Sequence, residues 1–270
     1  MCGIAGEVNF KQHVSSHNLR LMTNALRHRG PDDEGSYINE DYSVSLGHRR
    51  LSFLDLGESG RQPICNEKKD VWITFNGEIY NYLELRDELI SLGHTFHTAT
   101  DTEVIVHGYE EWGTEVVSRL KGMFAFGIWD QRKKCLFLVR DRFGIKPLYY
   151  YYQNGTFLFA SEIKGVKAHP NANTSLNLTS FTDYFVYRYV PSPNTIWNEV
   201  SKLPPAHWLM LYNDGSTETC EYWKLPTSNT KMSDAEALSK FDELLLNSVK
   251  IHARSDVPVG SFLKIGRAHV

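Results

Sequence analysis

The sequence predicts a layered α+β domain, in which helices cover antiparallel strands. Three observations carry that expectation. Short strand-like runs open the chain, two helices with start and stop signals follow, and four apolar or aromatic runs then come in succession with turn residues between them. Strands, then helices, then hairpin-linked strands is the order of an α+β domain rather than of βαβ repeats.

Taken in order, residues 2–9 read as a strand whose small residues let another backbone come close. A helix is expected over 16–27, with Leu19, Met22 and Leu26 on one face. It ends in Arg27-His28-Arg29-Gly30-Pro31-Asp32-Asp33, whose Gly-Pro step breaks helix and strand alike. Strands are expected at 44–47 and 71–75, and Asn76-Gly77-Glu78 then reads as a turn. Asn81-x-x-Glu84 has the form of a capping box; Leu85, Leu89 and Leu92 supply an apolar stripe and Gly93 the stop. A second helix is expected over 102–112, closed by Gly113.

The β-rich stretch comprises 123–130, 135–140, 148–152 and 157–161. Its punctuation is Gln131-Arg132-Lys133-Lys134, Gly144-x-x-Pro147 and Asn154-Gly155, the last a strong hairpin signal. A further hairpin over 208–223 turns at Asn213-Asp214-Gly215. The polar stretch 226–233 reads as a linker. Beyond it, Ser233-x-x-Glu236 caps a helix to about residue 253, with Leu238, Phe241, Leu244, Leu245 and Val249 as its expected buried face. A strand is expected at 257–263. One helix and one strand cannot bury a core, so the expected organisation is a domain over 2–225, a linker, and the incomplete start of a second domain over 234–264. The six residues 265–270 can be encoded by a string that matches a widely used sequencing adapter, and they are expected to be artefact. Finding the same codons in the source gene would overturn that expectation.

A net charge of −3 and a pI near 6.4 give no basis for a nucleic-acid partner held by bulk electrostatics. The four cysteines, Cys2, Cys65, Cys135 and Cys220, form no C-x-x-C pair, which disfavours zinc or a disulfide framework and makes a reducing cytoplasm the expected compartment. The N-terminus has no signal-peptide pattern, and no apolar run is long enough to cross a membrane.

Cys2 is the position with the most chemistry. A small second residue favours removal of Met1, which leaves Cys2 with both a thiol and a free α-amine. An α-amine titrates at about pH 7.7–8.0, so part of it is neutral near physiological pH and can take the thiol proton without a histidine. Hydrolysis of a side-chain amide also needs oxyanion donors, and Asn76 with the Gly77 amide is a suitable pair. Arg50 could clamp an α-carboxylate. Asp101 could hold an α-ammonium, act as a helix N-cap, or do both.

The residues Cys2-Gly3-Ile4-Ala5-Gly6, Arg27 to Asp32, Gly47-His48-x-Arg50-Leu51-Ser52, Asn76 to Asn81 and Asp101-Thr102-Glu103 form an ordered set. Gly122 to Phe126, Arg140-Asp141-Arg142-x-Gly144-x-Lys146-Pro147-Leu148-Tyr149 and Val257 to Leu263 extend it along nearly the whole chain. This set resembles the class II, N-terminal-nucleophile (Ntn) glutamine amidotransferases, in particular the glutamine-dependent asparagine synthetases. The resemblance implies an αββα sandwich, two antiparallel sheets between helical layers, followed by the start of an α/β ATP-pyrophosphatase (PP-loop) domain.

It further implies that Cys2 attacks glutamine and forms a γ-glutamyl thioester, while Asn76 and Gly77 hold the oxyanion. Arg50 would grip the α-carboxylate and Asp101 with Glu78 the α-ammonium, with Leu51, Ser52, Phe53 and Leu54 lining the pocket. The 27–33 loop resembles a segment that closes over bound glutamine. No cofactor is implied for the glutaminase domain, whereas ATP and Mg2+ with aspartate as acceptor are implied for the synthetase part, Leu263 being a remnant of the adenine pocket. The Ser-Gly-Gly-x-Asp-Ser loop expected after residue 263 is replaced here by Lys264-Ile265-Gly266-Arg267. A homodimer is the assembly the resemblance allows. The alternatives are an amidotransferase with another carboxylate acceptor and a catalytically silent assembly domain, and the retained Cys2, Arg50, Asn76, Gly77 and Asp101 speak against the second.

Overall fold

The computed structural model describes residues 1–51, 57, 60–227, 232–254 and 260. Its elements run β1 (Gly3–Asn9), α1 (Ser16–Asn24), β2 (Asp33–Ile38), β3 (Val44–Arg50), β4 (Ile64–Cys65), β5 (Val71–Ile79), α2 (Tyr82–Ser91) and α3 (Glu103–Trp112). After a 3-10 turn come α4 (Val116–Arg119), β6 (Gly122–Asp130), β7 (Cys135–Arg140), β8 (Tyr149–Gln153), β9 (Thr156–Ala160), α5 (Ile163–Lys167) and α6 (Leu178–Tyr187). The described chain closes with β10 (Val200–Lys202), β11 (His207–Leu211), β12 (Thr217–Glu221) and α7 (Asp234–His252).

The strands form two six-stranded antiparallel sheets, ordered β10-β8-β9-β1-β3-β2 and β12-β11-β7-β6-β5-β4. The two faces of each strand feed different cores. Phe157 and Phe159 of β9 and Leu136 and Leu138 of β7 pack between the sheets with Ile4, Val8 and Trp129. The alternate residues Leu158 and Ala160 face Met22, Leu26 and Val166 beside α1 and α5. On the other side, Phe124, Phe126, Phe137 and Val139 pack against Leu85, Leu89, Val104 and Val106 of α2 and α3. The result is the expected αββα layering. Strands buried on both faces read as continuous apolar runs, which is why 123–130 and 135–140 carry no polar alternation.

Local expectations fared unevenly. The Asn154-Gly155 hairpin is present, with φ of 54° and 82° at its two turn residues. α1 stops at Asn24 rather than reaching residue 27, because the chain turns to lay Leu26 into the core. Asn81 makes no capping bond; its side chain instead donates to Arg119 O (3.1 Å) and accepts from Lys121 N–H (2.8 Å), tying α2 to the segment before β6. Leu92 is 50 % exposed, so the stripe on α2 is Leu85 and Leu89 alone. The capping box of α7 forms as expected between Ser233 and Glu236, but Leu238, Phe241, Leu244, Leu245 and Val249 are all exposed. β2, β4, β10, α5 and α6 had no signal strong enough to be expected: β4 and β10 are only 2 and 3 residues long. Apart from Gly260, the strand expected at 257–263 lies outside the described residues.

Candidate active site

Cys2 sits just before β1, and the pairing of Gly3 with Arg49 brings it beside the end of β3. There Leu51 N–H donates to the Cys2 Sγ at 3.5 Å, and the thiol points to Leu51 O at 3.8 Å. Arg50 ends β3 as a buried residue and donates from Nη1 to Gly57 O at 3.0 Å. From the other sheet, β5 contributes Gly77 and Glu78. Asp101 is drawn to the same place by accepting the Ile79 N–H at 2.8 Å. One cleft is thus lined by Cys2, Arg50, Leu51, Gly77, Glu78 and Asp101, together with His48, Gln62, Phe75 and Thr102. Ser52, Phe53, Leu54 and Leu263 lie outside the described residues.

Asn76-Gly77-Glu78 is not a turn. β5 continues unbroken to Ile79, with Asn76 opposite Ala125 and Gly77 opposite Phe124 of β6. Glycine is required at 77 by packing, since a Cβ there would lie 2.3 Å from Met123 O and 2.7 Å from the Phe124 Cα. Asn76 is 1 % exposed and does not itself line the cleft, but its Nδ2 is buried with no hydrogen-bond partner. An unmatched buried donor costs roughly 1–3 kcal/mol, a cost expected where the acceptor arrives with a substrate. Asp101 is not the N-cap of α3 either. Thr102 holds that place, and the Asp101 carboxylate is directed at β5.

The electrostatics divide the site in two. Burial raises the Cys2 thiol, with the Leu51 backbone bond opposing it, so the resting group is a neutral thiol. Burial also lowers the Met1 amine, with Arg29 and Lys146 acting in the same direction and Cys2 and Asp32 opposing them. At the other end, burial and mutual repulsion push the Glu78 carboxyl well up, and burial likewise raises Asp101. Two buried carboxyls thus lie side by side in the cleft and resist ionising together. His48, whose Nε2 lies 3.0 Å from Phe75 O, is pushed down to about 4 by burial and serves as a neutral donor.

Several contributors escaped the sequence reading. Gln62 accepts the Phe75 N–H at 2.7 Å and donates to the Thr102 hydroxyl at 3.2 Å, bracing one wall of the cleft. Lys146 is 5 % exposed, and its charge acts on both Cys2 and Glu78. The Arg140-to-Lys146 motif was its signal: Asp141 accepts from the backbone of Phe143, Ile145, Lys146 and Phe124, folding this loop against β6 opposite Gly77. In the 27–33 loop, Gly30 is docked on β3, where a Cβ would lie 2.4 Å from the Arg49 carbonyl. Arg29 reaches back to donate to the Cys2 carbonyl at 2.8 Å.

Two antiparallel sheets between helical layers, with a thiol at the start of a central strand, define an Ntn-type amidohydrolase fold. Solved structures carry the same architecture: the glutamine phosphoribosylpyrophosphate amidotransferase of B. subtilis superposes with a TM-score of 0.63 at 17 % identity, covering 82 % of this chain and 49 % of that one. The profile of the glutamine amidotransferase domain matches residues 1–223. The putative asparagine synthetase [glutamine-hydrolyzing] 2 of Methanocaldococcus jannaschii is 39 % identical over 98 % of this chain and 55 % of its own length. Asparagine synthetase [glutamine-hydrolyzing] 1 of Bacillus subtilis is also 39 % identical, over 98 % of this chain and 42 % of its own. This chain belongs to the glutamine amidotransferase family, and it spans about half the length of these curated relatives.

Proposed function

We propose that the site hydrolyses the side-chain amide of glutamine with Cys2 as nucleophile. The observation that carries this is the convergence of Cys2, Arg50, Gly77, Glu78 and Asp101, from four separate segments, on one cleft. Once Met1 is removed, the Cys2 thiol gives its proton to its own α-amine and attacks the amide carbon. The Asn76 Nδ2 and the Gly77 N–H meet the developing oxyanion. Ammonia leaves with a proton from the amine, and water then cleaves the thioester to glutamate. Arg50 holds the α-carboxylate. The α-ammonium supplies the charge that the Glu78–Asp101 pair lacks, and bound there it favours ionisation of both. Lys146 keeps the attacking sulfur in an electropositive setting.

In the longer parent protein the ammonia would amidate aspartate at the expense of ATP and Mg2+ in the cytoplasm. Similarity to asparagine synthetases over nearly the whole chain supports this. No step of the glutaminase reaction runs through that nucleotide. Incubation with an electrophilic glutamine analogue should add one adduct at Cys2 of the Met-free chain, read by intact mass. Folded Met-free protein that takes no adduct would falsify the assignment. Cys2→Ala should abolish glutamate release, Cys2→Ser should leave a trace, and an N-terminal tag should inactivate by turning the amine into an amide.

A further inference from the structure

The amino-terminal strand is held by a side-chain network that no step of the reaction uses. Ile4 N–H donates to the Ser161 hydroxyl at 3.0 Å, and Ser161 N–H returns a bond to Ile4 O at 2.9 Å. The next residue, Glu162, occupies the N-cap position of α5 but makes no capping bond. Its carboxylate turns instead to the Arg29 Nη1 at 2.9 Å, with Lys164 Nζ at 3.1 Å and His28 Nε2 at 3.0 Å on the same group. Arg29 then donates from Nε to the Cys2 carbonyl at 2.8 Å. Its guanidinium is almost fully buried and its Nη2 has no hydrogen-bond partner, so without Glu162 the charge would be left with the Cys2 carbonyl as its hydrogen-bond acceptor.

From this chain of contacts we propose that Glu162 is a positioning residue for the nucleophile, acting through Arg29 to fix the Cys2 backbone and with it the reach of the thiol. The proposal rests on the assignment of Cys2 as nucleophile. A freed terminus has few other restraints. Removing Met1 deletes the residue before Cys2, so the new α-amine and the thiol sit on a Cα whose carbonyl is held by Arg29 and whose sulfur meets Leu51. A bidentate-capable guanidinium suits this task because its fixed fork orders one donor when another is clamped. Burial works against the Glu162 charge, but its bonds from Arg29, His28 and Lys164 prevail and hold its carboxyl down at about 2. The Glu162 carboxylate therefore stays ionised well below the ordinary carboxylate range. The near side of the thiol has Leu51 as its partner, so Glu162 governs orientation rather than acidity.

The test uses Glu162→Gln and Glu162→Asp in the full chain, with Met1 removal verified by mass and active sites counted with the electrophilic glutamine analogue. Per active site, Glu162→Gln should lower kcat by about tenfold or more with KM within about twofold, since misplacement of a nucleophile by a fraction of an ångström acts on the chemical step. Glu162→Asp should recover part of the loss. Glu162→Gln combined with Arg29→Lys should be no worse than Arg29→Lys alone, because both changes cut one line of contact. A kcat per active site within twofold of the parent overturns the proposal, and so does an additive double variant. If the parent itself takes no adduct at Cys2, the nucleophile assignment has failed instead.

Discussion

Glu78 and Asp101 make the resting pocket costly in a way that can be measured. Both carboxyls are raised by burial, Glu78 also by the charge of Asp101. The folded protein therefore keeps protons that the unfolded chain releases, and stability is lost as pH rises from the ordinary carboxylate range. Glu78→Gln should raise Tm by a few degrees at about pH 8 and much less at about pH 5, while weakening glutamine binding; equal effects at both pH values would remove the repulsion argument. Glutamine binding should release protons near neutral pH, because its ammonium favours the ionised pair, and calorimetry in buffers of different ionisation enthalpy reads that release. Asn76→Ala should lower kcat by roughly 10²–10³ with KM little changed. An unaffected kcat would make the unpartnered Nδ2 a packing accident.

At the level of elements, α3 and the edge of β5 depend on polar groups that hydropathy does not report. Burial acts against the Glu103 charge, yet bonds from His107, His97 N–H and Thr98 hold its carboxyl down at about 2. Burial likewise opposes the His107 charge, but Glu103 and Glu110 raise it to about 9. Glu103 thus contributes stability above the ordinary carboxylate range that is lost as pH falls toward 2, and His107 contributes stability below its ordinary range that is lost as pH rises through 9. His107→Gln should destabilise most between about pH 5 and pH 6.5, where both partners are charged, as urea titrations across pH would register. His94, His107 and Glu110 are also the one group among the described residues close enough to share a metal ion, and the ion pairs already account for its geometry. Gly77→Ala forces β5 from β6 and should cost about 1–3 kcal/mol or more, seen as a lower urea midpoint alongside lost activity.

The whole molecule divides into a body whose central strands are buried on both faces and a trailing helix with no buried residue. α7 meets the body through Arg254, which donates to Tyr80 O and pairs with Glu84, and through His252 against the Tyr80 ring. Removing the chain after residue 225 should therefore leave Tm within about 2 °C, since exposed apolar side chains add little to stability; a loss of ten degrees would show that α7 belongs to the body. Cys2 stood out because a small second residue becomes an amino terminus once Met1 is removed, and the ordered motifs gave it a substrate; the hairpins were legible because Asn154-Gly155 satisfies a turn without help from elsewhere. The helices α2 and α3 followed from local period and stop glycines. By contrast, Asn76-Gly77 looked like a turn, and only the fit of Gly77 against Phe124 made it strand; Arg29, Gln62, Lys146 and Glu162 joined the site through contacts between distant segments. The sequence by itself determined the family motifs and the layered class, and it singled out the position proposed as nucleophile, all carried by neighbours along the chain. The tertiary structure decided which donors stay unpaired, which carboxyls stay protonated and what holds Cys2 in place, because burial and charge proximity are set by the folding of separate strands onto one another.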